Sequence, residues 1–251
     1  MDYSGVTTSG QRVMGLASRK DKVGEKVVLD PIFRWELPPG ISLEVAATLP
    51  YAYLMGNLVI RGSDLLDRCA KQVMVHNGQT PVGMMCIALA LHEGHNVFST
   101  VPNDAAKSAI LKNFPQIPAS RITNHTDKNF FVPLMMETKG RGADLIISDL
   151  PEEEMINSWG CISELGSFIN LNGSVLARNV KLPMFHFNGM TSFRSFTPRD
   201  VAVFSSERKG RLHGLVEEWI IILAAQEPSV EIPYRIFAPH EINRFVYFIF
   251  S

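Results

Sequence analysis

The sequence predicts an α/β protein built on a doubly wound parallel sheet with helices on both faces, and three features carry that prediction. From about Ala70 short apolar runs alternate with helix-period segments at the spacing of β-α-β units. The first such run, Lys71–His76, passes through a Gly/Pro turn, Asn77–Pro81, directly into a helical segment, Val82–His92. Residues 1–62 have a different texture, rich in Gly, Pro and short β-type runs such as Gln11–Leu16 and Lys26–Leu29, so the alternating pattern begins only near Ala70.

The remaining elements follow in order. His95–Val101 is the second strand of the α/β part and Asp104–Asn113 the helix after it. Arg121–Asn124 is a short third strand. Ala143–Leu150 (ADLIISDL) is the fourth, and its near-continuous apolar run suits a strand buried on both faces. The acidic triplet Glu152–Glu154 opens a helix, where negative charge meets the positive end of the backbone dipole; it reads as a solvated helix start and not as a catalytic group. Gly166–Leu171 is the fifth strand. Beyond residue 180 come Phe-rich segments, of which Phe185–Phe196 reads equally as an edge strand or as a core strand with a loop. A long helix at Glu207–Gln226, a strand at Glu231–Phe237 and a helix at His240–Phe250 complete the pattern, and the chain stops inside the apolar run Phe245–Phe250 without a cap, as a cut end would.

Composition narrows the function classes. The chain has 251 residues, a net charge of −1 and 46% hydrophobic residues, which leaves no general field for nucleic acid or anionic lipid. The first twenty residues hold Asp2, Arg12, Arg19 and Lys20 without an apolar run, so no signal peptide is predicted. Leu215–Ala225, interrupted by Glu217 and Glu218, falls short of the roughly 20 residues a membrane span needs. Cys69, Cys86 and Cys161 fit neither a disulfide framework nor a zinc site and are expected to be buried thiols in a reducing, cytoplasmic setting.

Strand, glycine turn and helix is the context of a dinucleotide fingerprint, in which glycines let the backbone approach a pyrophosphate lying on the helix N-terminus. Here the turn reads Asn77-Gly78-Gln79-Thr80-Pro81-Val82-Gly83. Gly78 and Gly83 are in place, but Thr80 and Pro81 stand between them, so a retained Rossmann-like fold with an impaired cofactor site is expected: Pro81 removes a backbone donor and the Thr80 β-carbon crowds the approach. The second strand ends in Ser99-Thr100-Val101 with no acid to bind a ribose 2′-hydroxyl, while Lys107 lies beyond it on the next helix. That combination favours a phosphorylated ribose, hence NADP; Lys107 reads otherwise as an exposed helix lysine. The predicted cofactor contacts are Asn77, Gly78, Gly83, Thr100 and Lys107.

Several separated blocks are similar, in order, to the enoyl-reductase region of animal-type fatty acid synthases and type I polyketide synthases. They are Ser9–Gly15 (SGQRVMG), Leu29–Pro39 (LDPIFRWELPP), Leu43–Pro50 (LEVAATLP), Val75–Leu91, Val97–Gln116 and Gly140–Glu154 (GRGADLIISDLPEEE). The resemblance implies a medium-chain reductase: a GroES-like β-rich lobe, here incomplete, at 1–62 and 227–251, interrupted by a Rossmann-like NADP(H)-binding domain at 63–226. It also implies NADPH-dependent reduction of an enoyl thioester on an acyl carrier domain, neighbouring synthase domains, and a homodimer.

The chain departs from that family where chemistry is concerned. The family's lysine after the fifth strand falls here on Asn172-Gly173-Ser174, and no lysine occurs from Gly140 to Val180. The family's aspartate in the following strand falls at about Asn188–Thr191, and no aspartate occurs between Asp149 and Asp200. Neither Gly173 nor Thr191 supplies a proton near neutral pH. The stretch Tyr51–Gly62, which in the family helps line the cleft, is shortened. His76 stands where the family has a histidine and reads as a satisfied core or turn residue. His92 and His95 flank Glu93 without the spacing of a zinc protease. His186 and His240 are isolated, and Ser148 and Ser205 lack a nucleophile-elbow context. The expectation is an enoyl-reductase-like domain of weak or lost activity, with an active NADPH-dependent quinone or enoyl oxidoreductase and an NADP-binding scaffold without turnover as the alternatives.

Overall fold

Strand alternation determines the core of the α/β part. In the computed structural model, which describes residues 2–17, 30–61, 71–197, 204–225 and 234, β-period side chains divide between two faces of one sheet. Val73 and Val75 face one apolar cluster and Met74 the other. Laterally, Phe98, Met74, Ile146, Phe168 and Phe193 occupy successive paired positions across five strands, a single row on the second face.

The chain begins with an antiparallel sheet of β1 (Asp2–Val6), β2 (Arg12–Leu16) and β3 (Arg34–Glu36), followed by helices α1 (Leu43–Ala46) and α2 (Pro50–Ile60). The α/β part then runs β4 (Gln72–Val75), α3 (Pro81–His92), β5 (Asn96–Val101), α4 (Asp104–Asn113), β6 (Ile122–Asn124), α5 (Val132–Glu137), β7 (Ala143–Ser148), α6 (Glu152–Trp159), β8 (Ile162–Asn170), α7 (Gly173–Ala177) and β9 (Ser192–Ser195). Helix α8 (Ser206–Ala225) follows. The six strands of the second sheet lie in the order β6-β5-β4-β7-β8-β9, and every neighbouring pair is parallel. Numbered within that sheet the order is 3-2-1-4-5-6, that of a dinucleotide-binding doubly wound sheet, whose direction of winding reverses between β4 and β7.

Three placements differ from the sequence reading. Residues 50–60, within the stretch read as β-rich, form α2: Pro50 occupies the first turn, where its missing N–H costs nothing, and nearly every following side chain is buried. A helix apolar on all sides carries no amphipathic period. A β-carbon on Gly56 would come within 2.7 Å of Met85 Cγ, so this glycine lets α2 and α3 pack closely. Strand β8 begins at Ile162, four residues before the expected Gly166, because its pairing with β7 shifts between Ala143 and Leu145 and leaves Leu165 at φ 60°. The Phe-rich segment splits into a 3-10 helix, Met184–Gly189, and the outermost strand β9.

Helix α8 places Leu212, Val216, Trp219 and Ile220 on one buried face, at helical spacing. Trp35 of β3 stacks on His213 at 5.4 Å and donates its indole N–H to the His213 carbonyl, tying the small sheet to α8. Cys86 and Cys161 are buried free thiols, and desolvation pushes both up to about 12, with the Asp149 charge adding to the effect on Cys86. Cys69, the Lys26–Leu29 run, the strand expected at 231–237 and the helix expected at 240–250 lie outside the described residues, apart from Tyr234. Among the described residues no helix is long and apolar enough to cross a membrane.

Candidate functional site

In an open parallel sheet the ligand crevice lies beyond the carboxyl ends of the strands, where the winding reverses. Here that point joins the turn after β4, residues 76–80, to the segment after β7, residues 149–151. The turn is pulled tight by its glycines. A β-carbon on Gly78 would collide with Ser99 Oγ, and one on Gly83 would come within 2.6 Å of the Asn77 carbonyl oxygen. Asn77 itself adopts φ 49°, in the left-handed region that asparagine tolerates.

The start of α3 is capped by the chain itself. Thr80 is the N-cap: its hydroxyl accepts the Gly83 N–H at 3.1 Å and donates to the Asn77 carbonyl at 2.9 Å. Pro81 follows in the first turn, where its amide would be unbonded in any case. The expected obstacles Thr80 and Pro81 act together accordingly: Thr80 is an N-cap that takes up the Gly83 donor, and Pro81 offers no amide of its own. Gly83 N–H is bonded to the Thr80 hydroxyl, Met84 N–H to the Thr80 carbonyl and Pro81 has none, leaving Val82 as the amide of that turn available to a ligand. Two buried polar atoms near this edge, Gln79 Oε1 and His125 Nδ1, have no partner among the described residues. A nicotinamide dinucleotide fits this crevice: the orphaned buried atoms Gln79 Oε1 and His125 Nδ1 offer partners for ligand hydroxyls.

Across the crevice, Asn77 Nδ2 donates to Asp149 Oδ1 at 2.8 Å. Burial pushes the Asp149 carboxyl above the usual carboxylate range, opposed by the Asn77 hydrogen bond, its own backbone amide and the nearby His125. Asp149 is not singled out in the sequence, where its signal is an acid directly after the apolar run Leu145–Ile147 of the fourth strand (ADLIISD). In the sequence Asn172 marks only the position where the family's lysine is missing. In the fold its Nδ2 donates to the carbonyls of Asp149 and Leu150 at 3.2 and 3.1 Å, while its Oδ1 caps α7.

Beneath the turn lies His76, 3% exposed. Its Nδ1 lies 2.9 Å from the Thr100 hydroxyl and its Nε2 2.6 Å from the Ser158 hydroxyl, so a neutral ring links the ends of β4 and β5 to α6. Burial, with His125 nearby, lowers the imidazole to about 3. Thr100 is fully buried, with its carbonyl accepting the Gly78 N–H at 3.0 Å. The Lys107 ammonium donates to the Ile122 carbonyl at 2.7 Å. Gly173 opens α7 beside Thr197, and the Thr191 hydroxyl donates to the His186 carbonyl at 2.9 Å, so neither position presents an ionisable group. Glu93 pairs with Arg61 and lies 3.7 Å from His95 Nε2, while the His92 ring packs edge-on against Trp219.

The neutral His76 has a measurable consequence. Its folded pKa lies below the ordinary value of ~6.5, so the unfolded chain takes up the proton first. Stability is therefore full above pH ~6.5 and is lost as pH falls toward about 3, at about 1.4 kcal/mol per pH unit. Urea unfolding at pH 7 and pH 5 should show a drop about 2 kcal/mol smaller in His76→Gln than in the unaltered chain. Equal drops would contradict a buried neutral ring.

No family model matches the chain. Among curated proteins, a highly reducing polyketide synthase of Leptosphaeria maculans is 29% identical over 195 residues, 78% of this chain and 8% of the relative. Among solved structures, the CurK enoyl reductase superposes with a TM-score of 0.73 at 19% identity, over 95% of this chain and 68% of that one. A highly reducing polyketide synthase of Cladosporium cladosporioides is 31% identical over 202 residues, 76% of this chain and 8% of the relative. This chain belongs to the highly reducing polyketide synthases, and its fold is that of an enoyl reductase. A quinone oxidoreductase from Thermus thermophilus, also solved in complex with NADPH, superposes on this polyketide-synthase chain with a TM-score of 0.75 at 19% identity, covering 100% of this chain and 76% of that one. The domain spans about 8% of the length of each synthase relative, and of the two synthase types the sequence resembles, polyketide synthase is the one its relatives represent.

Proposed function

We propose that this domain belongs to a synthase that builds acyl chains on a carrier, and that it is a weakened NADPH-dependent enoyl reductase. The observation that supports the weakening is the Thr80–Pro81 start of α3, where the Thr80 hydroxyl occupies the Gly83 donor and proline removes the donor at 81. Asn77, Gly78 and Gly83 would hold the diphosphate, Thr100 would brace the turn from below, and Lys107 would exchange the Ile122 carbonyl for a 2′-phosphate. When bound, NADPH would supply a hydride to the β-carbon of an enoyl thioester. With glycine at 173 and threonine at 191, protonation of the α-carbon is left to water. The natural substrate is an acyl chain on a carrier domain. The setting is a cytoplasmic, multidomain synthase that pairs as a homodimer through the exposed edge of β9.

The test is NADPH oxidation by the full chain with a crotonyl-pantetheine thioester, alongside the CurK enoyl reductase. Loss of general-acid help alone predicts turnover about 10²–10⁴-fold slower than that reference. Matching rates would overturn the weakened-site reading. The likeness in fold to a quinone oxidoreductase favours one second reading, quinone reduction, which preference for a quinone over the thioester in the same assay would support.

A further inference from the structure

We propose that a dinucleotide enters this crevice together with one proton, which goes onto the Asp149 carboxylate. The inference rests on the functional reading above and deepens it, by naming how the site accommodates an anion beside an acid. Asp149 directly follows β7 on one side of the winding reversal, and Asn77, in the turn that would cradle the diphosphate, is its hydrogen-bond partner across the gap at 2.8 Å. An ionised carboxylate there meets phosphate charge with one short amide side chain between them, in a half-buried place where water screens poorly.

The surrounding groups offset its charge only in part. From β4, His76 is held neutral; from α3, the Cys86 thiol is pushed up to about 12; from the segment after β6, His125 favours the ionised form without outweighing burial; from the loop before α7, Asn172 engages only the Asp149 backbone carbonyl. Along its own segment the next charges are Glu152, Glu153 and Glu154, all of the same sign. No lysine or arginine pairs with Asp149 among the described residues. Burial already favours the protonated form, and an arriving diphosphate favours it further. The step is balanced simply: an O–H bond forms on Asp149 and the proton comes from solvent.

The experiment is calorimetric titration of the full chain with NADP+ at pH 7.5, in two buffers of different ionisation enthalpy, which counts protons taken up independently of turnover. The unaltered chain should take up nearly one proton more than Asp149→Asn, and the variant should bind NADP+ at least tenfold more tightly at that pH. Asp149→Ser provides the same comparison if the asparagine variant unfolds, and thermal melts establish that each variant is folded. Equal proton counts in the unaltered chain and both variants, with binding retained, would overturn the inference while leaving the functional reading intact. Absence of NADP+ binding in all three, at pH 6 as well as 7.5, would overturn both.

Discussion

Trp159→Ala is expected to destabilise the fold by about 3–5 kcal/mol, enough to remove much of a typical domain's stability. The Trp159 side chain is fully buried at the end of α6. Its ring meets Phe168 of β8 at 5.5 Å, Phe187 of the 3-10 helix at 5.1 Å, Phe193 of β9 at 5.8 Å and His186 at 5.9 Å. Its indole N–H donates to the Pro183 carbonyl at 3.1 Å. One side chain thus joins α6, the sheet and the Phe-rich segment, and truncation leaves both a cavity and an unbonded carbonyl. Urea unfolding measures the loss, and Trp159→Phe should recover part of it. A cost below about 1 kcal/mol would mean that this face of the sheet is not packed as described.

Replacing Thr80 and Pro81 together with glycine is expected to tighten NADPH binding at least tenfold. The change frees the Gly83 N–H, now bonded to the Thr80 hydroxyl, and restores an amide at 81. Hydrogen bonds to a charged group contribute about 1.5–3 kcal/mol each, and about 1.4 kcal/mol corresponds to tenfold in affinity. The folded state should lose stability in exchange, since a glycine cap costs a few tenths of a kcal/mol and losing proline loosens the unfolded chain by about 0.4–1 kcal/mol. Fluorescence titration and a thermal melt on the same samples check both directions. Tighter binding without lower stability would indicate that Thr80 and Pro81 do not cap α3.

What was legible in the sequence follows from where the pattern and the physics coincide. β4, α3, β5, α4 and β7 could be read because short apolar runs and helix-period segments alternate cleanly there, punctuated by Gly78, Pro81 and Gly94. Helix α2 could not, because burial on all sides erases the amphipathic period that distinguishes helix from strand. The start of β8 was hidden by Glu164 and the exposed Leu165, which interrupt the apolar run while the backbone continues in the sheet. Strand β9 lies inside the Phe185–Phe196 stretch read as an edge or core strand, but its bounds are not legible, since its Ser-Phe-Arg-Ser pattern is only half-buried at the sheet edge.

In the site, Gly78 and Gly83 stood out because tight turns demand them. Thr80 was visible but read for its bulk, although a threonine followed by proline at a helix start is also a capping signature. Asp149, Asn77 and Asn172 sit at three separate points of the chain. Only the β4–β7–β8 order of the sheet brings them together, and no local spacing encodes that order.

On the proposed function, the turn between β4 and α3 is a diphosphate cradle whose Gly83 donor is taken by its own helix cap. Titration of the unaltered chain with NADPH at pH 7.5, followed by fluorescence, tests it most directly. The predicted result is saturable but weak binding, with Kd of ~100 µM or above, about −5.5 kcal/mol or less favourable. Sub-micromolar affinity with Thr80 and Pro81 in place would contradict it.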